Sequence, residues 1–276
     1  MVSVSLDRSS NTSGSHGGPR RLTVSAVIQV IDYHKSYRDA VAVEGLSFDV
    51  QPGQVLGLLG PNGAGKTTTM RAIAGIIPPT RGRLLVAGHD VVADPVAAKQ
   101  HLAYVPDDPK LFDALTVWEH MLFTAAAYRV KDFEPEANAL LEQFELTAKR
   151  DAMAQELSRG MRQKVAICAA YLHKPVAILF DEPLTGLDPH GIRQMKASVR
   201  ARAAGGAAVI ISSHLLDLVE DLCTDLLILH RGRRIYFGPV TNARAAIGSN
   251  AEASLEEVFF KATEAANGSV SSITPL

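Results

Sequence analysis

Val55-Leu56-Gly57-Leu58-Leu59-Gly60-Pro61-Asn62-Gly63-Ala64-Gly65-Lys66-Thr67-Thr68-Thr69-Met70-Arg71-Ala72-Ile73-Ala74 runs as an apolar strand, a glycine-rich turn and a helix. Gly60, Gly65, Lys66 and Thr67 have the G-x-x-x-x-G-K-[ST] spacing of a phosphate-binding loop. The glycines let the backbone turn its N–H groups inward around an anion. The helix starting near Lys66 adds its positive end to the same spot. Lys66 can reach the β- and γ-phosphates, and the Thr67 hydroxyl can ligate Mg²⁺. Residues Gly60, Pro61, Asn62, Gly63, Ala64, Gly65, Lys66, Thr67 and Thr68 are therefore the expected nucleotide contacts. A plain glycine turn before a core helix would leave the Lys-Thr pair at that offset to chance. The pattern implies binding of a nucleoside triphosphate.

Outward from this loop, 276 residues are enough for one substantial core with a lobe and a tail. The longest apolar run, 165–172, is far short of the roughly 20 residues that span a bilayer. A net charge of -1 and the lack of a basic tract provide no attraction for nucleic acid. Cys168 and Cys223 sit in apolar, helical segments and read as small hydrophobes in a reducing compartment. Residues 1–26 are rich in Ser and Gly, the composition of a disordered leader. Arg20-Arg21 precedes a short apolar stretch that soon meets Gln29 and Asp32, with no cleavage pattern, which excludes export.

Residues 26–32 and 45–50 read as strands, the second with Leu46, Phe48 and Val50 on one face. Gly75 caps the helix of the phosphate loop, and Pro78-Pro79 prevents it from resuming. A short strand is expected at 84–87, a helix from Pro95, and a strand at 101–105. The stretch from 107 to about 155 is helical. Thr116 and Glu119 form a capping box for a helix through Tyr128, and Ala137, Leu140, Leu141 and Phe144 share a face of the next. From Ser158 helices and strands alternate: helices at 159–172, 191–204 and 215–222, strands at 176–180, 208–212, 226–230 and 233–237. Alternation of this kind predicts a largely parallel sheet with helices on its faces, an α/β fold.

Strand 176–180 ends in Asp181-Glu182. Next to a phosphate loop, an acid at a strand end holds Mg²⁺ through water, which assigns Asp181, and the neighbouring Glu182 can polarise the attacking water.

With these residues assembled, the chain resembles the nucleotide-binding subunit of an ATP-binding cassette (ABC) transporter, from about Ile28 to Phe260. Tyr37 lies where that family has an adenine-stacking aromatic. Leu157-Ser158-Arg159-Gly160-Met161-Arg162-Gln163-Lys164 occupies the signature position. Thr185-Gly186-Leu187-Asp188 matches the subunit-contact loop, and Ser212-Ser213-His214 the switch histidine. The resemblance implies a P-loop NTPase fold with an N-terminal antiparallel β subdomain, a mostly parallel core and an inserted helical lobe at about 107–160. The implied division is a leader at 1–26, an ATPase domain at 27–238 and a C-terminal helical tail at 239–276. It implies ATP and Mg²⁺ as ligands, with Glu182 and His214 catalytic and Thr67, Asp181 and Asp107 at the metal. Ser158, Arg159 and Gly160 would meet the ATP of a second cassette subunit, and Asp188 would fix either His214 or the partner's phosphate loop. It also implies an integral membrane permease as a separate chain, and a peripheral place on the cytoplasmic face of the membrane.

Several of these residues also carry a plainer reading. Tyr37 is either a stacking platform or a surface tyrosine beside Lys35. Ser158 is a good helix N-cap whatever else it does. His214 alone would be an ordinary polar residue at a strand end. Two residues depart from the family pattern: Asp107 stands for its glutamine, and Arg159 for the first signature glycine. Arg159 belongs in the first turn of a helix, where a cation opposes the dipole; it faces either solvent or an incoming phosphate. Such variants, with the ending Ser254-Leu255-Glu256-Glu257-Val258-Phe259-Phe260, resemble a bacterial subgroup that serves drug, peptide or polymer exporters. Residues 110–115, near Trp118, either pack the lobe or form a rim for a permease helix. The rival reading is a soluble cassette ATPase acting on ribosomes or DNA, but such chains usually carry two cassettes or a long coiled coil. A GTPase would need an N-K-x-D motif, and no Asn-Lys pair occurs.

Overall fold

A computed structural model of the chain describes residues 26–38, 40–214, 216–247 and 254–268. Nearly all of the expected leader, and the last part of the expected tail, lie outside the described residues.

Strands β1 (Ile28–Tyr37), β2 (Ala40–Val50), β4 (Arg81–Val86) and β5 (His89–Asp90) form an antiparallel sheet in the order β2-β1-β4-β5. The second sheet contains β3 (Val55–Leu59), β6 (Leu102–Val105), β7 (Ala177–Asp181), β8 (Ala208–Ser212), β9 (Asp225–His230) and β10 (Arg233–Pro239). Its order is β10-β9-β3-β8-β7-β6, parallel throughout except for the β9–β10 hairpin. The α/β class expected from the alternation is the one observed.

Every residue of β3, β7 and β8 is buried, which explains why they are apolar up to Asp181 and Ser212, where β7 and β8 end: both faces are covered. The pleat sorts the residues between two cores. Ile178 and Phe180 of β7 face a core built with α3 (Val117–Tyr128), α4 (Glu134–Gln143), α5 (Arg159–Leu172) and α6 (Pro189–Ala204). Ala177 and Leu179 face the other core, shared with the antiparallel sheet and α1 (Lys66–Ile73). The capping box of α3 is formed in both directions: Glu119 N–H donates to Thr116 Oγ1 at 3.1 Å and Thr116 N–H to Glu119 Oε2 at 2.7 Å. Gly75 follows α1 with φ of 62°, the left-handed stop expected there.

Two expectations are corrected. β1 extends to Tyr37 and β2 begins at Ala40, because three register shifts along β1 break the alternation that marks a strand. The strand expected at 84–87 begins at Arg81 and closes a hairpin onto β5 through Ala87 and Gly88, both with positive φ. A two-residue turn of that hand normally carries Asn or Gly first, so alanine conceals it.

His173, at the end of α5, stacks on Tyr128 with ring centroids 3.8 Å apart, and its Nε2–H donates to the Leu102 carbonyl at 3.2 Å. Its Nδ1 is buried without a partner, so the ring is held neutral. Burial, more than any other cause, pulls its pKa down from 6.5 to about 4. The folded state thus binds fewer protons. The stability His173 contributes is fully present above 6.5 and lost as pH falls through about 4. Unfolding in urea at pH 7 and pH 4 is expected to show about 1–2 kcal/mol less loss for His173→Phe than for the wild type. Equal losses would assign the acid sensitivity elsewhere.

Candidate active site

Strands β3, β7 and β8 run side by side and in the same direction, so their carboxyl ends deliver three short segments to one edge of the sheet. From β3 comes the loop 60–65 and the start of α1. Gly60 and Gly65 are required there by contact as well as by dihedral angle. A Cβ on Gly60 would lie 2.5 Å from the Leu229 carbonyl oxygen, and one on Gly65 2.8 Å from that of Ala42. The second contact seats the phosphate loop against β2. Lys66 Nζ donates to the carbonyls of Gly60 at 2.6 Å and Pro61 at 3.3 Å, which places the ammonium over the loop. Burial lowers its pKa, while Glu182 and Asp181 act in the opposite direction.

From β7 come Asp181 and Glu182. Asp181 is buried and accepts from Ser212 Oγ at 2.5 Å, Tyr104 OH at 3.3 Å and Thr67 Oγ1 at 3.4 Å. Tyr104 and Ser212 are the residues that sequence reading missed. Their only signal was position, one near the end of β6 and the other at the end of β8. Burial, with the Asp181 charge next, pushes the Tyr104 phenol up to about 12, so it remains a donor.

Glu182 has left-handed backbone, with φ of 51°. Its N–H donates to the Ser212 carbonyl at 3.1 Å, and its Oε2 lies 2.8 Å from His214 Nδ1. Thus Lys66, Thr67, Asp181, Glu182 and His214, which span nearly 150 positions, share one edge.

The other expected residues fall nearby. Ser158 caps α5, accepting from Met161 N–H at 3.3 Å. A Cβ on Gly160 would meet the Gly186 carbonyl oxygen at 2.5 Å, so the first turn of α5 lies backbone to backbone with the turn after Glu182. Tyr37 ends β1 half-exposed, paired with Ala40, and Lys35 Nζ is 5.0 Å from its ring centroid. Of the two contacts given as alternatives for Asp188, the one to His214 is not formed within the chain. Asp188 instead caps α6, accepting from Gly191 N–H at 2.7 Å, a local bond that an Asp-Pro pair at a helix start favours. Arg159 begins α5, and its Nη2 lies 3.3 Å from Asp107 Oδ1.

The residues fit Mg²⁺ bound with a nucleotide. Thr67 supplies a hydroxyl and Asp181 a carboxylate, and among the described residues no cluster of three His, Cys, Asp or Glu side chains could cage a metal alone. That sparse oxygen donor set suits an ion whose remaining ligands are water and phosphate. Beside it is a cleft of about 550 Å³ lined by Thr67, Arg71, Tyr104, Asp107, Asp181 and Glu182, among others.

Comparison with known proteins gives a consistent result. The ABC transporter family profile matches residues 43–185. The ABC-type transporter ATP-binding protein EcsA of Bacillus subtilis is 32% identical over 241 residues, covering 87% of this chain and 97% of that one. The Nod factor export ATP-binding protein I of Burkholderia pseudomallei is 37% identical, over 77% of this chain and 71% of its own. A solved structure of the ATP-binding subunit of an ABC transporter superposes with a TM-score of 0.82 at 33% identity, covering 86% of this chain and 99% of that one.

Proposed function

The chain belongs to the ABC transporter family as one of its ATP-binding proteins, and from that premise we propose that it hydrolyses ATP to drive a separate membrane permease of an exporter. The observation that supports this best is the convergence of Lys66, Thr67, Asp181, Glu182 and His214 at the carboxyl ends of β3, β7 and β8. Export-type relatives such as the Nod factor export protein favour the direction.

In this reading the N–H groups of the loop and the Lys66 ammonium bind the β- and γ-phosphates. Thr67 and Asp181 would hold Mg²⁺, which supplies neutralisation of phosphate charge. Glu182 polarises the attacking water, and His214, held by Glu182 at 2.8 Å, orients at the γ-phosphate. Tyr37 offers a face to adenine. Ser158, Arg159 and Gly160 of a second cassette subunit complete each site from across a dimer, and Asp188 reaches the partner's phosphate loop. Hydrolysis removes the γ-phosphate that holds the two subunits together, and they part. Among the described residues no helix is long and apolar enough to cross a membrane; the proposed transport role is carried with a permease at the cytoplasmic face.

The two readings of residues 110–115 divide by side chain. Leu111 packs on the lobe core, and Trp118 packs against Phe133 with the Arg150 guanidinium over its ring. Phe112 points outward at 54% exposure, edge-on to the exposed Phe123 with centroids 5.2 Å apart. Its backbone is fixed independently, because Phe112 N–H donates to His120 Nε2 at 3.0 Å. Co-purification from solubilised membranes tests the function. The wild-type chain is expected to bring down a polytopic membrane protein. Phe112→Asp should release it, with basal ATP hydrolysis and thermal unfolding unchanged. Recovery of ribosomes or DNA in place of a membrane protein would favour the soluble ATPase.

A further inference from the structure

Asp107 and Arg159 are each unfavourably placed when considered singly. Asp107 follows β6 and lines the cleft shared with Thr67, Asp181 and Glu182, where it adds an anion beside a site for a triphosphate. Arg159 puts a cation at the N-terminal end of α5, against the helix dipole, and no acidic residue stands in that first turn. They are 52 positions apart, yet Arg159 Nη2 lies 3.3 Å from Asp107 Oδ1. The stem of Arg159 crosses Gly186 closely: its Cγ and Cδ are 3.1 Å from where a Cβ on that residue would be. With φ of 82°, Gly186 is the residue type that suits both the turn and the crossing.

Of the other cations near the cleft, Arg71 lines it beside Tyr104. Lys110 pairs with Asp108, Lys66 donates to Gly60 and Pro61, and Arg162 pairs with Asp113. Arg159 is the cation that forms an ion pair with Asp107.

We propose that Asp107 and Arg159 are a matched pair of positioning residues that holds the nucleotide cleft at its working charge, each offsetting the electrostatic cost of the other. This rests on the reading of the cleft as the MgATP site. The pair is half-exposed, with side-chain exposures of 55% and 50%, so it contributes little to fold stability. Its effect falls on the field at the nucleotide. Without Arg159, Asp107 faces the triphosphate uncompensated. Without both, the wall is neutral again.

The test is a double-substitution cycle on the full chain, with ATP affinity measured by calorimetric titration at two salt and two Mg²⁺ concentrations, and thermal unfolding as a second readout. Arg159→Ala is expected to weaken ATP binding about fivefold, with the loss shrinking at high salt. Asp107→Asn with Arg159→Ala should bind ATP about two- to threefold more tightly than Arg159→Ala alone, the sign of coupling between the two side chains. Unfolding temperatures should stay together across the cycle. A double variant as weak as Arg159→Ala, or an Arg159→Ala loss that tracks a fall in unfolding temperature, overturns the pairing. ATP binding by the wild type with purely additive substitutions leaves the nucleotide reading intact and removes this one. No ATP binding by the wild type would overturn both.

Discussion

Glu182→Gln is expected to lower ATP turnover by about 10²–10⁴-fold while leaving nucleotide affinity unchanged. The amide retains the size of the carboxylate and can still accept from His214, which lies 2.8 Å from Glu182 Oε2. It cannot take up a proton from water. The backbone N–H of residue 182 remains bonded to Ser212, so the turn is preserved. With hydrolysis blocked, ATP and Mg²⁺ should collect the protein as a nucleotide-bound dimer, visible by size-exclusion chromatography and absent without nucleotide. Turnover within a few-fold of wild type would remove Glu182 from the catalytic role.

Lys66→Ala should act at the earlier step and weaken ATP binding itself by roughly 10- to 150-fold, the worth of one or two charge-assisted hydrogen bonds. Two effects add. The ammonium no longer meets the phosphates, and Asp181 and Glu182, whose charges oppose the burial effect on the Lys66 pKa, lose their nearby cation. The fold itself should tolerate the change, because Lys66 is partly exposed at the mouth of the loop. Calorimetric titration with ATP separates the two variants: Glu182→Gln binds and does not turn over, whereas Lys66→Ala barely binds. Wild-type affinity in Lys66→Ala would contradict the assignment of the loop.

Much of this site was legible before any coordinates because its signals are local. The loop from Gly60 to Thr67 is contiguous, and β8 carries the apolar run 208–211 that reports its own burial. Thr116 and Glu119 announce the start of α3 from three positions apart. What remained hidden depends on distant segments or on departures from regular backbone. The bulges of β1 shift side chains between faces, so its length could not be counted by alternation. The cradle of Tyr104 and Ser212 around Asp181 exists only once β6, β7 and β8 lie in order. Asp107 and Arg159 looked like two separate oddities, since their meeting requires the lobe to fold back on the sheet.

The contact between Gly160 and Gly186 has a mechanical consequence. Most neighbouring elements are cushioned by side chains, whose rotamers take up small displacements. Here the two main chains touch with no such padding, since even a Cβ on Gly160 would sit 2.5 Å from the Gly186 oxygen. A joint of this kind acts as a hard stop against closer approach. When α5 is driven toward the turn that follows Glu182, that turn must travel with it at nearly full amplitude. The linkage between the helical lobe and the catalytic edge is thereby stiff against compression, a bearing surface made of two glycines.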